Sequence, residues 1–385
     1  MTSVYFDHAA TTPVDPRVLE QMLPFFCERY GNPSELHRLG REARTAVEQA
    51  RAQVAAGLGA GEKEIVFTAG GSEADNLALI GYLQRFEPGH FIISSIEHPA
   101  VMEAARALNR LGWAVDFIPV DGDGVIDVDA YEQAFRDDTR LASVMYANNV
   151  VGAIQPIAEL ARIAHEKGAL FHTDAVQAVG SVPIDVGALG VDMLSLSGHK
   201  LYGPKGSGAL YVKRGTRLTP LIHGGGQERR LRSGTENVPG IVGLGAALEL
   251  ALAGMAEARP RLEALRDHLA RRVLESVPDV RYLGHPTERL PGNVAFTVRY
   301  IEGESMLLQL DTHGFMVSSG SACASGSLEP SHVILALGLG AEEAHGSLRL
   351  SLGRENTQAE ADAFIEVFPS IVEKLRQMSP LYVKG

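Results

Sequence analysis

The sequence predicts an α/β protein, with a large domain on a mostly parallel, seven-stranded sheet covered by helices and a smaller α+β domain beside it. Three observations predict it. Seven short, β-rich apolar runs fall in the first two thirds of the chain. Helical stretches alternate with many of those runs, as a parallel sheet requires of its crossovers. After about residue 250 the texture changes to long charged helices with isolated strands.

The runs, in order, are EIVFTAG (64–70), HFIISS (90–95), AVDFIPV (114–120), LASVMY (141–146), ALFHTD (169–174), MLSLSG (193–198) and GALYV (208–212). They are apolar continuously rather than alternately, which is the pattern of strands buried on both faces. Between them, 72–86, 98–112 and 157–168 read as helices. Beyond residue 250, 255–277 reads as a long amphipathic helix that begins or kinks at Pro260, because proline breaks the helical hydrogen-bond ladder. Strands are expected at 292–298 and 347–353, with helices at 303–314 and 357–378. The expected division is a large domain over 14–250 and a small one formed by 1–13 and 251–385. No internal repeat is visible.

The 385 residues are 45% hydrophobic and 21% charged, enough to bury a sizeable core. A net charge of -12 with no basic run argues against nucleic acid as a direct ligand. The first residues lack the basic and apolar regions of a signal peptide, and no uninterrupted apolar run of membrane-spanning length occurs. Two cysteines make no disulfide framework, so a reducing cytoplasm is the expected setting. The thirteen histidines show no zinc-type spacing, and no metal is expected.

Ligands of parallel sheets bind beyond the carboxyl ends of the strands, and the informative residues follow the apolar runs. In FTAGGSEADN, Gly71 and Ser72 open a helix and could cradle an anion, although a serine-capped turn explains them equally. Asp174 ends the fifth run in HTDAVQ and needs a partner, either a structural one or a cationic ring nitrogen. Lys200, in SGHKLYGPKGSG, follows the sixth run directly. Desolvation there would free its amine as a nucleophile, although an exposed lysine at a turn is the ordinary alternative. Gln177 could bond a ring hydroxyl, and His98 in SSIEHPAV could stack and move protons or simply start a helix. An imine-forming lysine, a ring-pairing aspartate and an anion nest together are what pyridoxal phosphate requires. Cys323 lies in SSGSACASG, a polar, serine- and glycine-rich stretch that reads as a flexible tether. Cys27, in MLPFFCERYG, reads as a core or helix-end thiol with no catalytic part.

These motifs, with YFDHAATTPVDP (5–16), YGNPSELH (30–37), GGGQERRLRSGTENVPG (224–240) and LRLSLGREN (348–356), resemble the cysteine desulfurases of the NifS/IscS type, class V of the fold-type-I pyridoxal-phosphate enzymes. The resemblance implies that Lys200 holds the cofactor, Asp174 and Gln177 contact its ring nitrogen and oxygen, and His98 stacks and transfers protons. It implies that Gly71, Ser72, Ser197 and His199 bind the phosphate, joined by Thr235 from the other subunit of a homodimer. Asn149 would lie near the ring oxygen and Arg349 would hold the substrate carboxylate, for which a planar fork is suited. Cys323 would take sulfur from L-cysteine, leaving L-alanine, and pass it to acceptor proteins for iron–sulfur cluster assembly or tRNA thiolation. NNVVG departs from the family's usual acid at the third position, where this chain has Val150. Selenocysteine lyase and class V aminotransferase are the alternatives that keep the cofactor. A dinucleotide-binding oxidoreductase is weaker, since neither GLGAALEL nor GLGAG follows a strand with an acid downstream.

Overall fold

The structure is a computed structural model describing residues 3–320 and 330–382. Its strands are β1 (Val4–Tyr5), β2 (Ile65–Thr68), β3 (His90–Ser94), β4 (Ala114–Ile118), β5 (Thr139–Ser143), β6 (Leu170–Asp174), β7 (Met193–Ser197), β8 (Gly208–Val212), β9 (Val280–Tyr282), β10 (Asn293–Val298), β11 (Phe315–Met316) and β12 (Ser347–Ser351). The seven expected runs form one sheet in the order β2-β8-β7-β6-β5-β3-β4. Six strands point the same way, while β8 lies antiparallel between β7 and β2. Helices cover both faces, which is why β2, β3, β6, β7 and β8 carry almost no exposed residue.

Helix starts follow local chemistry. Gly71–Leu83 begins on the second glycine after β2. Pro99–Arg110 has proline in its first turn and His98 as its cap. Arg38–Leu58 ends on Gly59 at φ 69°, a left-handed cap suited to glycine.

The later part of the chain adds the β12-β10-β9 sheet, the β1-β11 pair and the helices Gly303–Thr312 and Gln358–Met378. The N-terminal strand joins this part, as β1 pairs with β11. The expected start of the long helix is corrected here. A single helix runs Val238–Ser276 with Pro260 inside it. Its first half is buried in the large core through Ile241, Leu244 and Leu248, and its second half in a separate core through Leu265, Leu269 and Val273. Packing at both ends outweighs the one hydrogen bond lost at the exposed proline. Among the described residues this is the one helix long and apolar enough to cross a membrane, and half of that apolar stretch is buried inside the protein. Cys27 is the last residue of the helix Pro24–Cys27 and is exposed, so the helix-end reading holds and the core reading does not.

Candidate active site

Lys200 sits three residues beyond β7, in a short turn closed by Gly198 N–H on Ser207 O (2.8 Å) and Gly203 N–H on Gly198 O (3.0 Å). A side chain at Gly203 would stand 2.8 Å from that carbonyl, which is why the turn needs glycine. The amine of Lys200 donates to Ala9 O at 2.5 Å and Ala10 O at 2.6 Å, and Gln177 Nε2 donates to the same Ala9 O at 3.0 Å. Thr12 extends this N-terminal strap, donating to His199 O from both its N–H and its hydroxyl at 2.9 Å. His199 Nδ1 meets Thr11 Oγ1 at 3.1 Å, and burial with the charges of Lys200 and Lys205 pushes the imidazole down to about 4, so it is neutral.

Asp174 is buried at the end of β6, its Oδ1 accepting Val176 N–H at 2.9 Å. Burial raises its pKa against the opposing charges of His98 and Lys200. Burial lowers His98, with Asp174 pulling the other way. Ala100 N–H donates to His98 Nδ1 at 3.1 Å, which leaves Nε2 as the nitrogen that carries the proton.

Beneath Asp174 lie three buried groups that sequence reasoning missed. His172 is two residues earlier on β6, with Ser143 Oγ at 2.8 Å from Nδ1 and Ser195 Oγ at 3.0 Å from Nε2. Burial pushes it down to about 3, so it stays neutral. Asp75 is raised well above the usual carboxylate range by burial and the nearby Asp174, with Oδ1 3.7 Å from His172 Nε2. Glu97 is raised to about 8 by burial, although Ser94 Oγ (2.5 Å) and Met145 N–H (2.8 Å) both donate to Oε1. Among the described residues nothing hydrogen-bonds Glu97 Oε2 or Asp75 Oδ1. The only sequence signal was an acid beside each motif, in GSEAD and IEHP, which does not distinguish a surface acid from a buried one.

Close neighbours at the start of the helix Gly71–Leu83 keep Gly71 and Gly208 bare. A side chain at Gly71 would stand 2.7 Å from Val176 Cγ2, and one at Gly208 of β8 2.7 Å from Gly70 Cα. Ser197, buried at the end of β7, adjoins both Gly70 and Gly71, and Ser72 is exposed in the first turn. Thr235 is exposed on the segment between β8 and the long helix, and its neighbours Gly234 and Glu236 line a small recess of about 40 Å³ with Thr68 and Ala69.

Arg349 is buried in the middle of β12. Nη2 donates to Asp7 Oδ1 at 2.7 Å and Nη1 to Asn149 O at 3.0 Å, and Nε has no partner among the described residues. Arg349 and Asn149 are thus brought together. The neighbouring Asn148 is structural, its Oδ1 accepting Val150 and Val151 N–H at 2.8 and 3.0 Å. Ser318 exchanges two backbone hydrogen bonds with Arg349, at 2.6 and 3.1 Å. On the other side of the serine-rich stretch, His332 Nε2 lies 3.0 Å from Glu97 O, beside His98. Cys323 falls in 321–329, outside the described residues.

The aminotransferase class-V family model matches residues 4–364. The chain belongs to the aminotransferase class-V family. It is 53% identical over 384 residues to a protein named cysteine desulfurase IscS from Methanosarcina thermophila, covering 99% of this chain and 95% of that one. A solved NifS-like protein superposes with a TM-score of 0.92 at 39% identity, covering 97% of this chain and 100% of that one. The solved structure of SspA in complex with cysteine gives 0.81 at 39% identity, covering 92% of this chain and 100% of that one.

Members of the class-V family depend on pyridoxal phosphate, and the residues of this chain fit that group. A buried carboxylate, a lysine amine after the neighbouring strand and a glycine turn crowded at Gly71 would supply the ring, imine and phosphate contacts. Val150, where the resemblance expects an acid, is buried in an apolar cluster with Ile96 and Met145. It also faces Gly320, where an added side chain would stand 2.8 Å from Val150 Cγ1.

Proposed function

We propose that the chain is a pyridoxal-phosphate-dependent cysteine desulfurase that converts L-cysteine to L-alanine and takes the sulfur onto Cys323. The observation that carries the reading is the backbone pairing of Ser318 with Arg349. It ties the root of the cysteine-bearing stretch to the arginine assigned to the substrate carboxylate.

Lys200 would hold the cofactor, Asp174 the ring nitrogen, Gln177 and Asn149 the ring oxygen, and Gly71, Ser72, Ser197 and His199 the phosphate, with Thr235 contributed from the second subunit of a homodimer. When bound, the cofactor supplies a sink for the electron pair left on the substrate when its carbon–sulfur bond breaks. Arg349 Nε, buried beside Asp7 and Asn149, offers a donor to the substrate carboxylate. Lys200 Nζ and the Nε2 proton of neutral His98 serve proton transfer at the substrate carbon. The Cys323 thiolate attacks the substrate sulfur, the carbon–sulfur bond breaks, and the carbon takes a proton to become alanine. The persulfide then passes to an acceptor protein, such as an iron–sulfur scaffold or a tRNA-thiolation carrier, in the cytoplasm.

The test uses purified protein and L-cysteine, following alanine and the mass of the Cys323 peptide. One added sulfur on that peptide is expected. Cys323→Ser is expected to stop alanine formation while keeping the cofactor's band near roughly 400–430 nm. Full alanine formation by that variant would refute the assignment of Cys323.

A further inference from the structure

We propose that the buried Arg51–Glu228 pair is a positioning clamp that holds the 228–236 segment against the anion nest at Gly71 and Ser72. The inference rests on the pyridoxal-phosphate reading of that nest.

Arg51 lies on the helix Arg38–Leu58, and both members of the pair are buried. The guanidinium makes two parallel bonds, Nη2 to Glu228 Oε1 at 2.7 Å and Nη1 to Oε2 at 2.9 Å. Both partners also reach β2, the edge strand of the large sheet. Arg51 Nη1 donates to Ile65 O at 2.9 Å, and Phe67 N–H donates to Glu228 Oε2 at 2.8 Å. The guanidinium lies 4.7 Å from the centre of the Phe67 ring. The pair therefore satisfies backbone groups that an edge strand leaves open.

The same glutamate begins an unusual turn. Glu228, Arg229 and Arg230 adopt φ of 43°, 54° and 67°, three consecutive non-glycine residues in the left-handed region. Such a run persists only where its surroundings fix it. The fixing groups include the Arg51 fork at one end, Arg229 Nη2 donating to Ile65 O, and Arg232 at the other end, where Nε donates to Glu73 Oε1 at 2.9 Å. Glu73 follows Ser72, and its Oε2 accepts Ala69 N–H at 2.9 Å. The segment that presents Thr235 to the second subunit is thus tied at one end to the sheet edge and at the other to Glu73, beside this subunit's own nest. A buried ion pair is a weak source of stability, but a planar fork sets distance and orientation together.

The test compares wild-type protein with Arg51→Met/Glu228→Gln, which leaves no unpaired buried charge and keeps an acceptor for Phe67 N–H. Dissociation of pyridoxal phosphate is followed by absorbance, hydrogen exchange over 231–236 by mass spectrometry, and Tm of the apoprotein as the control. The expected result is a Kd raised about tenfold and faster exchange over 231–236, with Tm lowered by only a few degrees. Unchanged Kd and unchanged exchange would overturn the clamp. Should the double variant not fold, Glu228→Gln alone is read by the same two criteria, with a Kd raised about threefold expected. Wild-type protein that takes up no pyridoxal phosphate would remove the reading of the nest, and the exchange comparison would still decide the clamp.

Discussion

At the scale of single residues, the site combines groups the sequence announces with groups it hides. Lys200 and Asp174 are legible because each is a charged residue at or just past the end of an apolar run. Asp75, Glu97 and Asp7 are not, because their meaning depends on which strands and helices later cover them. Glu97 gives a direct test. Its carboxyl is raised from 4.5 to about 8 by burial, so the folded state holds a proton that the unfolded chain releases between those values. Its contribution to stability is full below pH 4.5 and is lost as pH rises towards 8. Between pH 5.5 and 7.5, urea unfolding of the apoprotein should show the stability of wild type, relative to Glu97→Gln, falling by roughly 2–3 kcal/mol. A constant difference would mean that Glu97 is ionised throughout. For Arg349, whose Asp7 and Asn149 contacts fix its plane, Arg349→Lys should raise KM for L-cysteine about 10–100-fold, as for loss of a charged hydrogen bond. Steady-state kinetics with KM unchanged and kcat reduced would place Arg349 outside substrate binding.

At the scale of elements, all seven strands of the large sheet overlap runs read from the sequence, and in β2, β3, β6, β7 and β8 burial on both faces leaves an uninterrupted apolar signature. Pro260 is a local signal for a helix start or kink within 255–277, and the two separate cores explain why the helix instead begins at Val238 and runs through it. The glycine of β8 carries an element-scale prediction. Gly208 pairs with Ser197 and Thr68, and any side chain on it would stand 2.7 Å from Gly70 Cα and Leu196 O. Gly208→Ala should destabilise the fold by about 1–3 kcal/mol, as overpacking does, and weaken pyridoxal phosphate binding by displacing the turn before Gly71. Denaturation midpoints and cofactor titration check the two effects separately, and a wild-type Kd would show that the turn tolerates the shift.

At the scale of the whole molecule, the chain closes on itself. Residues near the N-terminus pair with β11 and bond Lys200 and His199, and the long helix runs between the two cores. Spacing and periodicity do not reveal the strap, because the partners of Asp7–Thr12 lie about 190 residues away at Lys200 and His199 and 342 residues away at Arg349 and Ser351. Calorimetry of the holoprotein should show one cooperative transition, since a shared helix couples both cores, and two well-separated transitions would contradict that coupling. The catalytic reading depends on Lys200 being the residue that holds the cofactor. The measurement that tests it most directly is borohydride reduction of the holoprotein, proteolysis and mass spectrometry of the labelled peptide. One cofactor-labelled peptide containing Lys200 is expected, and label on a different lysine, or on none, would contradict it.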